Sequence, residues 1–163
     1  MRLRPSAAEM LRGALIYASG DTAACLIRSC FSPWRLLGVL LIGGTLYAFE
    51  IPAWFRWIDA RTAGLEGGRA SLARTALAML YFNPFWIARH LLLVGLASGD
   101  LSVLGWGLLG VGVVSFAVNA PFALAANHLI QNRVPLRFRF AASAAYSSLM
   151  AVYYALSATF FGG

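Results

Sequence analysis

Apolar residues in this chain gather into five long stretches. They neither recur at the period of a surface helix nor alternate as in a half-buried strand. The stretches cover residues 11–28, 36–55, 75–97, 101–130 and 140–161. A helix needs about 20 apolar residues to cross the hydrocarbon of a bilayer. Backbone in that medium has to satisfy its own hydrogen bonds, and a helix does so within one segment. The fourth stretch is long enough to require tilt or a kink. The pattern predicts an all-α, polytopic membrane helix bundle with about five transmembrane helices, several of them proline-broken, in a single integral membrane domain over residues 1–163.

Polar positions between the stretches set an orientation. With five spans and the N-terminus inside, the inner side carries Arg2, Arg4, Arg12, Arg56, Arg61, Arg69, Arg74, Arg133, Arg137 and Arg139. The outer side has Arg28 and Arg35. This asymmetry follows the rule that positive loops stay cytoplasmic, and it puts Gly162 and Gly163 outside. If the first stretch did not span, the asymmetry would weaken, so the first stretch is expected to span. Arg2 and Arg4 ahead of an apolar run also fit a secretory leader, but Glu9, Arg12 and Asp21 interrupt that run. Trp34, Trp54, Trp57 and Trp106 fall near span ends, where amphipathic rings prefer to sit, whereas Trp86 is expected in the core.

Composition agrees with this layout. Hydrophobic residues make up 60% of the 163 and charged ones 12%, against roughly 45–50% and 25% in soluble domains. The net charge of +7 comes from thirteen arginines and no lysine. In a soluble chain such charge suggests nucleic acid, but arginines placed singly between apolar runs read as topology determinants. Cys25 and Cys30 match neither a metal spacing nor a disulfide framework and read as small apolar filler.

Ionisable groups inside spans are costly and usually face a cavity or a partner. The candidates are Asp21, Glu50, Arg89 and His90, with Asn83 beside them. At about 1.5 Å per residue from the inner arginines, Asp21 and Asn83 lie about 13 Å deep and Glu50 about 9 Å, so these three are expected to share one site. Arg89, about 22 Å from the inner face and so about 8 Å above Asp21, is near the limit of reach for an ion pair with it. Prolines follow an acid or amide in three spans: Glu50 with Pro52, Asn83 with Pro84, and Asn119 with Pro121. Each frees the carbonyl four residues earlier, at Ala48, Leu80 and Ala117. Interrupted helices with polar residues at the break are how many transporters build a midplane site.

Ser115, Asn119, Asn127 and Gln131 follow a four-residue step along the fourth stretch, which makes one helix face. They line a cavity or hydrogen-bond between helices. His90 has the chemistry to ligate a haem or chlorin, although a solitary membrane histidine more often bonds a neighbour. The chain has no nucleophile with a base, no paired carboxylates in one span, no phosphate loop and no His/Cys metal set. These absences predict a chain that is not an enzyme and uses no cofactor and no metal.

Two families share landmarks with this chain. Gly20-Asp21, Gly43 and Gly44, Trp54 to Asp59, Pro84, Pro121, Asn127, Val134-Pro135 and Arg139 resemble the small peroxisomal and mitochondrial inner-membrane channel proteins, with Cys25 and Leu124 where that family has glutamines. Asp21-Thr22-x-Ala24, Phe82-Asn83-Pro84, Leu91 to Gly95 and Val113-Val114-Ser115 are similar to the bacterial L-alanine exporter family. The second resemblance implies a multi-pass protein of the bacterial cytoplasmic (inner) membrane that exports a neutral amino acid such as L-alanine. On it Asp21 or Glu50 carries a coupling proton, Arg89 meets the substrate carboxylate, and the breaks at Pro52, Pro84 and Pro121 with Asn83, His90, Asn119 and Asn127 line the pathway. The partners are the lipid bilayer and a small-molecule substrate, with a homo-oligomer or a larger membrane complex left open and no nucleic acid. The alternative function is a non-catalytic accessory or assembly subunit of such a complex.

Overall fold

The computed structural model describes residues 5–101 and 104–161, excluding the side chains of 154, 155 and 157–161. Arg2, Arg4, Gly162 and Gly163, on which part of the orientation rests, lie outside the described residues. Every described element is helical: α1 (Ala7–Ile27), α2 (Pro33–Ile42), a π turn (Gly43–Tyr47), α3 (Ala48–Thr62), α4 (Gly67–Tyr81), α5 (Pro84–Ala97), α6 (Gly107–Arg133) and α7 (Leu136–Phe161). The α2–π–α3 run is one rod of 30 residues, and α4 and α5 are two halves bent by 41°. Five rods result, in the order in which the apolar stretches occur.

Two of these rods, Pro33–Thr62 and Gly107–Arg133, are long and apolar enough to cross a membrane, and the bent pair Gly67–Ala97 makes a third if it acts as one span. α1, interrupted by Glu9, Arg12 and Asp21, is not among them. Five membrane crossings are therefore more than length and composition establish for the described residues.

Proline acts differently at its three sites. Pro84 is the first residue of α5, where a missing N–H costs nothing, and the chain does break there. The Leu80 carbonyl freed by Pro84 accepts from Asn83 Nδ2 at 2.9 Å, while Asn83 Oδ1 accepts from Trp86 N at 3.0 Å and caps α5. Pro52 and Pro121 lie inside α3 and α6, which run through them. The expected breaks at these two prolines are thus corrected: the second rod departs from α geometry earlier, at the π turn. A π turn holds one extra residue, so the helix beyond it is rotated by about 100° relative to an uninterrupted one. That rotation accompanies the placement of Tyr47, Ala48, Ile51, Phe55 and Ile58 in the core.

Close approach of α1 to the π turn requires glycine. A Cβ on Gly43 would stand 2.7 Å from the Gly13 carbonyl oxygen, and one on Gly13 would overlap the Gly43 carbonyl. α1 also packs along much of α7, with Gly20 against Ser148 and Ser148 Oγ donating to Ile16 O at 2.8 Å. α6 lies mainly on α4 and α5, and its contact with α7 is much lighter. The bundle is thus an α1–α7 layer and an α4–α5–α6 layer with α2–α3 between, and α6 stands partly away from α7.

Gly13→Val is expected to cost about 2 kcal/mol through overpacking, measured by denaturant unfolding in mixed micelles. Gly110→Val, with nothing within 4 Å of its Cβ position, is expected to leave stability unchanged.

Candidate functional site

The gap between α6 and the α1–α7 layer is a cavity of about 330 Å³. That volume lies within the range of small-molecule sites. Its polar lining comes from five helices, with Arg35 contributed by α2. α6 supplies Ser115, Asn119 and Asn127, α7 supplies Ser143 and Tyr146, α5 supplies His90, and α1 supplies Asp21. Ile87, Leu91, Val94 and Phe116 make much of the apolar wall. The four-residue step read in the sequence is thus the cavity face of α6 as far as Asn127, about 18 Å of helix. Gln131, next in the step, is fully buried below it.

The cavity has a charged end and a neutral end. At the α1–α2 turn its rim includes the exposed Arg28 and Cys30, with Arg35 next to them. Arg35 Nε and Nη2 donate to Asp21 Oδ2 and Oδ1 at 2.8 and 2.7 Å, a bidentate pair joining α2 to α1. Deeper, Tyr146 Oη donates to Asn119 Oδ1 at 3.1 Å, bridging α7 and α6 across the gap. Asn127 is only 4% exposed. Its amide nitrogen donates to Ala123 O at 2.9 Å, and its Oδ1 has no protein partner. A bonded pair Tyr47 Oη and His90 Nδ1 (2.8 Å) and a parallel stack on Trp86 (3° between planes, centroids 5.5 Å apart) fix the His90 ring. Nε2 is therefore the histidine nitrogen left for the cavity. Among the described residues no group of three or more His, Cys, Asp or Glu side chains is arranged to hold a metal ion.

Below Asn127 a packed polar layer closes the bundle. Arg139 is buried and donates to Asp59 Oδ1 at 2.6 Å, Val134 O at 2.9 Å and Gln131 Oε1 at 3.4 Å. Arg74 Nε donates to Thr62 Oγ1 at 3.1 Å, and Thr75 Oγ1 lies 3.2 Å from His128 Nδ1.

The site expected around Asp21, Glu50 and Asn83 is divided. Equal depth along three helices does not place side chains on one azimuth, and only Asp21 of the three lines the cavity. Glu50 accepts from Arg89 Nη1 and Nη2 at 3.0 and 2.6 Å and from Tyr81 Oη at 2.9 Å. Neither Glu50 nor Arg89 reaches the cavity wall. Asn83 is spent on the α4–α5 break. The ion pair expected between Asp21 and Arg89 is replaced by two others, Asp21–Arg35 and Glu50–Arg89. Trp86, expected in the core, is half-buried, packs against the core cluster and also borders the cavity. In the sequence Arg35 has the look of a topology residue alone. Its place near the start of the next helix, across one short turn from the helix that carries Asp21, is the available sign that the two could pair.

No family model matches the chain, nor does any curated protein or solved structure. The function is therefore argued from the site.

Exchanging the partners of the Glu50–Arg89 pair tests its geometry. Glu50→Arg and Arg89→Glu are each expected to lower the melting temperature in detergent, and the double variant to recover most of the loss. Melting of the double variant below both singles would show that the two side chains do not face each other.

Proposed function

We propose that the chain is a five-span protein of a bacterial cytoplasmic membrane, with its N-terminus inside, that exports a small zwitterionic solute, a neutral amino acid such as L-alanine. The observation that carries this reading is the Asp21–Arg35 pair in the cavity wall. An amino acid presents one carboxylate and one ammonium a few ångströms apart. Arg35 offers a planar fork to the carboxylate, and Asp21 accepts from the ammonium. With no solute the two protein groups satisfy each other, so neither stands as a costly unpaired charge. Solute entry exchanges one ion pair for two and leaves the total charge of the site at zero.

The same pairing supports α1 as a span, because Asp21, its most deeply placed charge, is matched within the bundle. α7, which packs along α1, is the other added span. Asp21 is also the carboxylate that lines the cavity, whereas Glu50 is clamped by Arg89 and Tyr81 away from it. The role first expected of Arg89 passes to Arg35. The cavity runs from the α1–α2 turn to Asn127, with the Gln131–Arg139 layer beyond it, an arrangement that fits a carrier open to one side. Export requires that layer to part while the Asp21–Arg35 end closes.

Val111, Val114, Val118 and Phe122 are exposed along α6. They favour a second reading, an accessory subunit that seats this face on a larger membrane complex.

Reconstituted vesicles preloaded with labelled alanine test the proposal. Asp21→Asn and Arg35→Gln are each expected to reduce efflux at least tenfold while the protein still inserts and elutes as a single species. Arg89→Gln is expected to lower thermal stability and keep the solute KM. Unchanged efflux in both cavity variants, or an inert wild type that copurifies with unrelated chains, would reject transport.

A further inference from the structure

The rim of the cavity holds two thiols that solute binding does not use. α1 ends at Arg28 with Ser29 in the left-handed region (φ 55°), the only non-glycine residue with positive φ among those described. Cys30 N donates to Cys25 O at 2.9 Å and Ser29 N donates to Leu26 O at 3.2 Å. These are the two bonds of a Schellman terminus, a geometry that commonly brings the side chains three residues before and two after the helix cap into contact. In this chain those two positions are both cysteine. The Cys25 thiol points to Asp21 Oδ2, 3.8 Å away. Cys25 is 2% exposed whereas Cys30 is open to solvent, and both line the cavity.

We propose that Cys25 and Cys30 form a reversible dithiol–disulfide site at the mouth of the cavity, oxidised by thiol–disulfide exchange with a small-molecule or protein disulfide. The helix terminus already holds the two positions together through the Cys30 N to Cys25 O bond. Exposure sets the order of events. The Cys30 thiolate attacks one sulfur of the oxidant, forming a mixed disulfide and expelling the first oxidant thiolate. The Cys25 thiolate then attacks the Cys30 sulfur, closing the Cys25–Cys30 bond and expelling the second. The two protons lost by the cysteines end on the two released thiols, and the two electrons have passed to the oxidant. Closure draws the Cys25 sulfur from Asp21 toward Cys30, which alters the groups around the Asp21–Arg35 pair. On the orientation proposed above, the α1–α2 turn faces the oxidising side of a cytoplasmic membrane. That last point rests on the transport reading's topology, and the bond itself does not.

Arg28 lies between the two cysteines, so trypsin separates them and makes the bond directly visible. Full-length protein in detergent is treated with oxidised glutathione, blocked with an alkylating reagent and digested without reductant. The expected product is peptide 13–28 joined to peptide 29–35, from protein that runs as a monomer on a non-reducing gel, with the link lost after dithiothreitol. Cys25→Ser is expected to retain glutathione on Cys30, and Cys30→Ser to remain unmodified at Cys25. Free, alkylated peptides after oxidation, or a link found only in covalent dimers, would overturn the proposal. Glutathione on Cys25 in the Cys30→Ser protein would overturn the order of attack. None of these readouts depends on efflux, so a failure here is distinct from a failure of the transport reading.

Discussion

Asp21, Glu50 and Asp59 are half-buried on helices made largely of apolar residues, where a carboxylate without a cation carries a desolvation cost. Each meets an arginine from another segment: Arg35 of α2, Arg89 of α5 and Arg139 of α7. The three pairs tie α1 to α2, α3 to α5, and α3 to α7. They set azimuth and register that apolar packing leaves loose, because one leucine face fits another in many rotations whereas a bidentate guanidinium fits a carboxylate in few. The fold depends on meeting these three demands together.

The pairs differ in what surrounds them. Arg139 is also bonded to Val134 O and Gln131, within a packed layer that closes one end of the bundle. Glu50 has a third partner in Tyr81, beside the ring cluster of Trp54, Tyr81 and Trp86. Asp21 and Arg35 alone border the open cavity. The Asp21–Arg35 pair stands beside empty, partly polar space, whereas the Glu50–Arg89 pair is held by a third hydrogen bond from Tyr81 and the Asp59–Arg139 pair by a packed polar layer.

Helix irregularities place the cavity. The π turn and the Gly13–Gly43 contact draw the second rod against α1, and the Asn83–Pro84 break turns α5 so that His90, Leu91 and Val94 reach the gap. Gly112 lets α6 rest on the Pro84 carbonyl, where an added Cβ would stand 2.5 Å away. With α6 held there and α1 held on α7, the space between them is spanned by the Asn119–Tyr146 bond and stays otherwise open.

The five apolar stretches were legible residue by residue, because continuous apolarity is a local property and each stretch became one rod. The polar stripe Ser115–Asn119–Asn127 was legible for the same reason: helical spacing alone puts those residues on one face. The carbonyl freed by Pro84 was also predictable, being fixed by covalent geometry. Partner choice was not. Depth along a helix can be counted from the ends, but the direction in which Asp21, Glu50 or Arg89 points depends on the rotation of every rod, and the π turn shifts that rotation for α3 without any unambiguous mark in the chain. Gly43-Gly44 permits the turn but does not require it. So the sequence by itself determined which segments are helical and which residues share a helix face. Only the tertiary structure decided that Arg35 and not Arg89 meets Asp21, since that choice depends on how the helices are turned against one another.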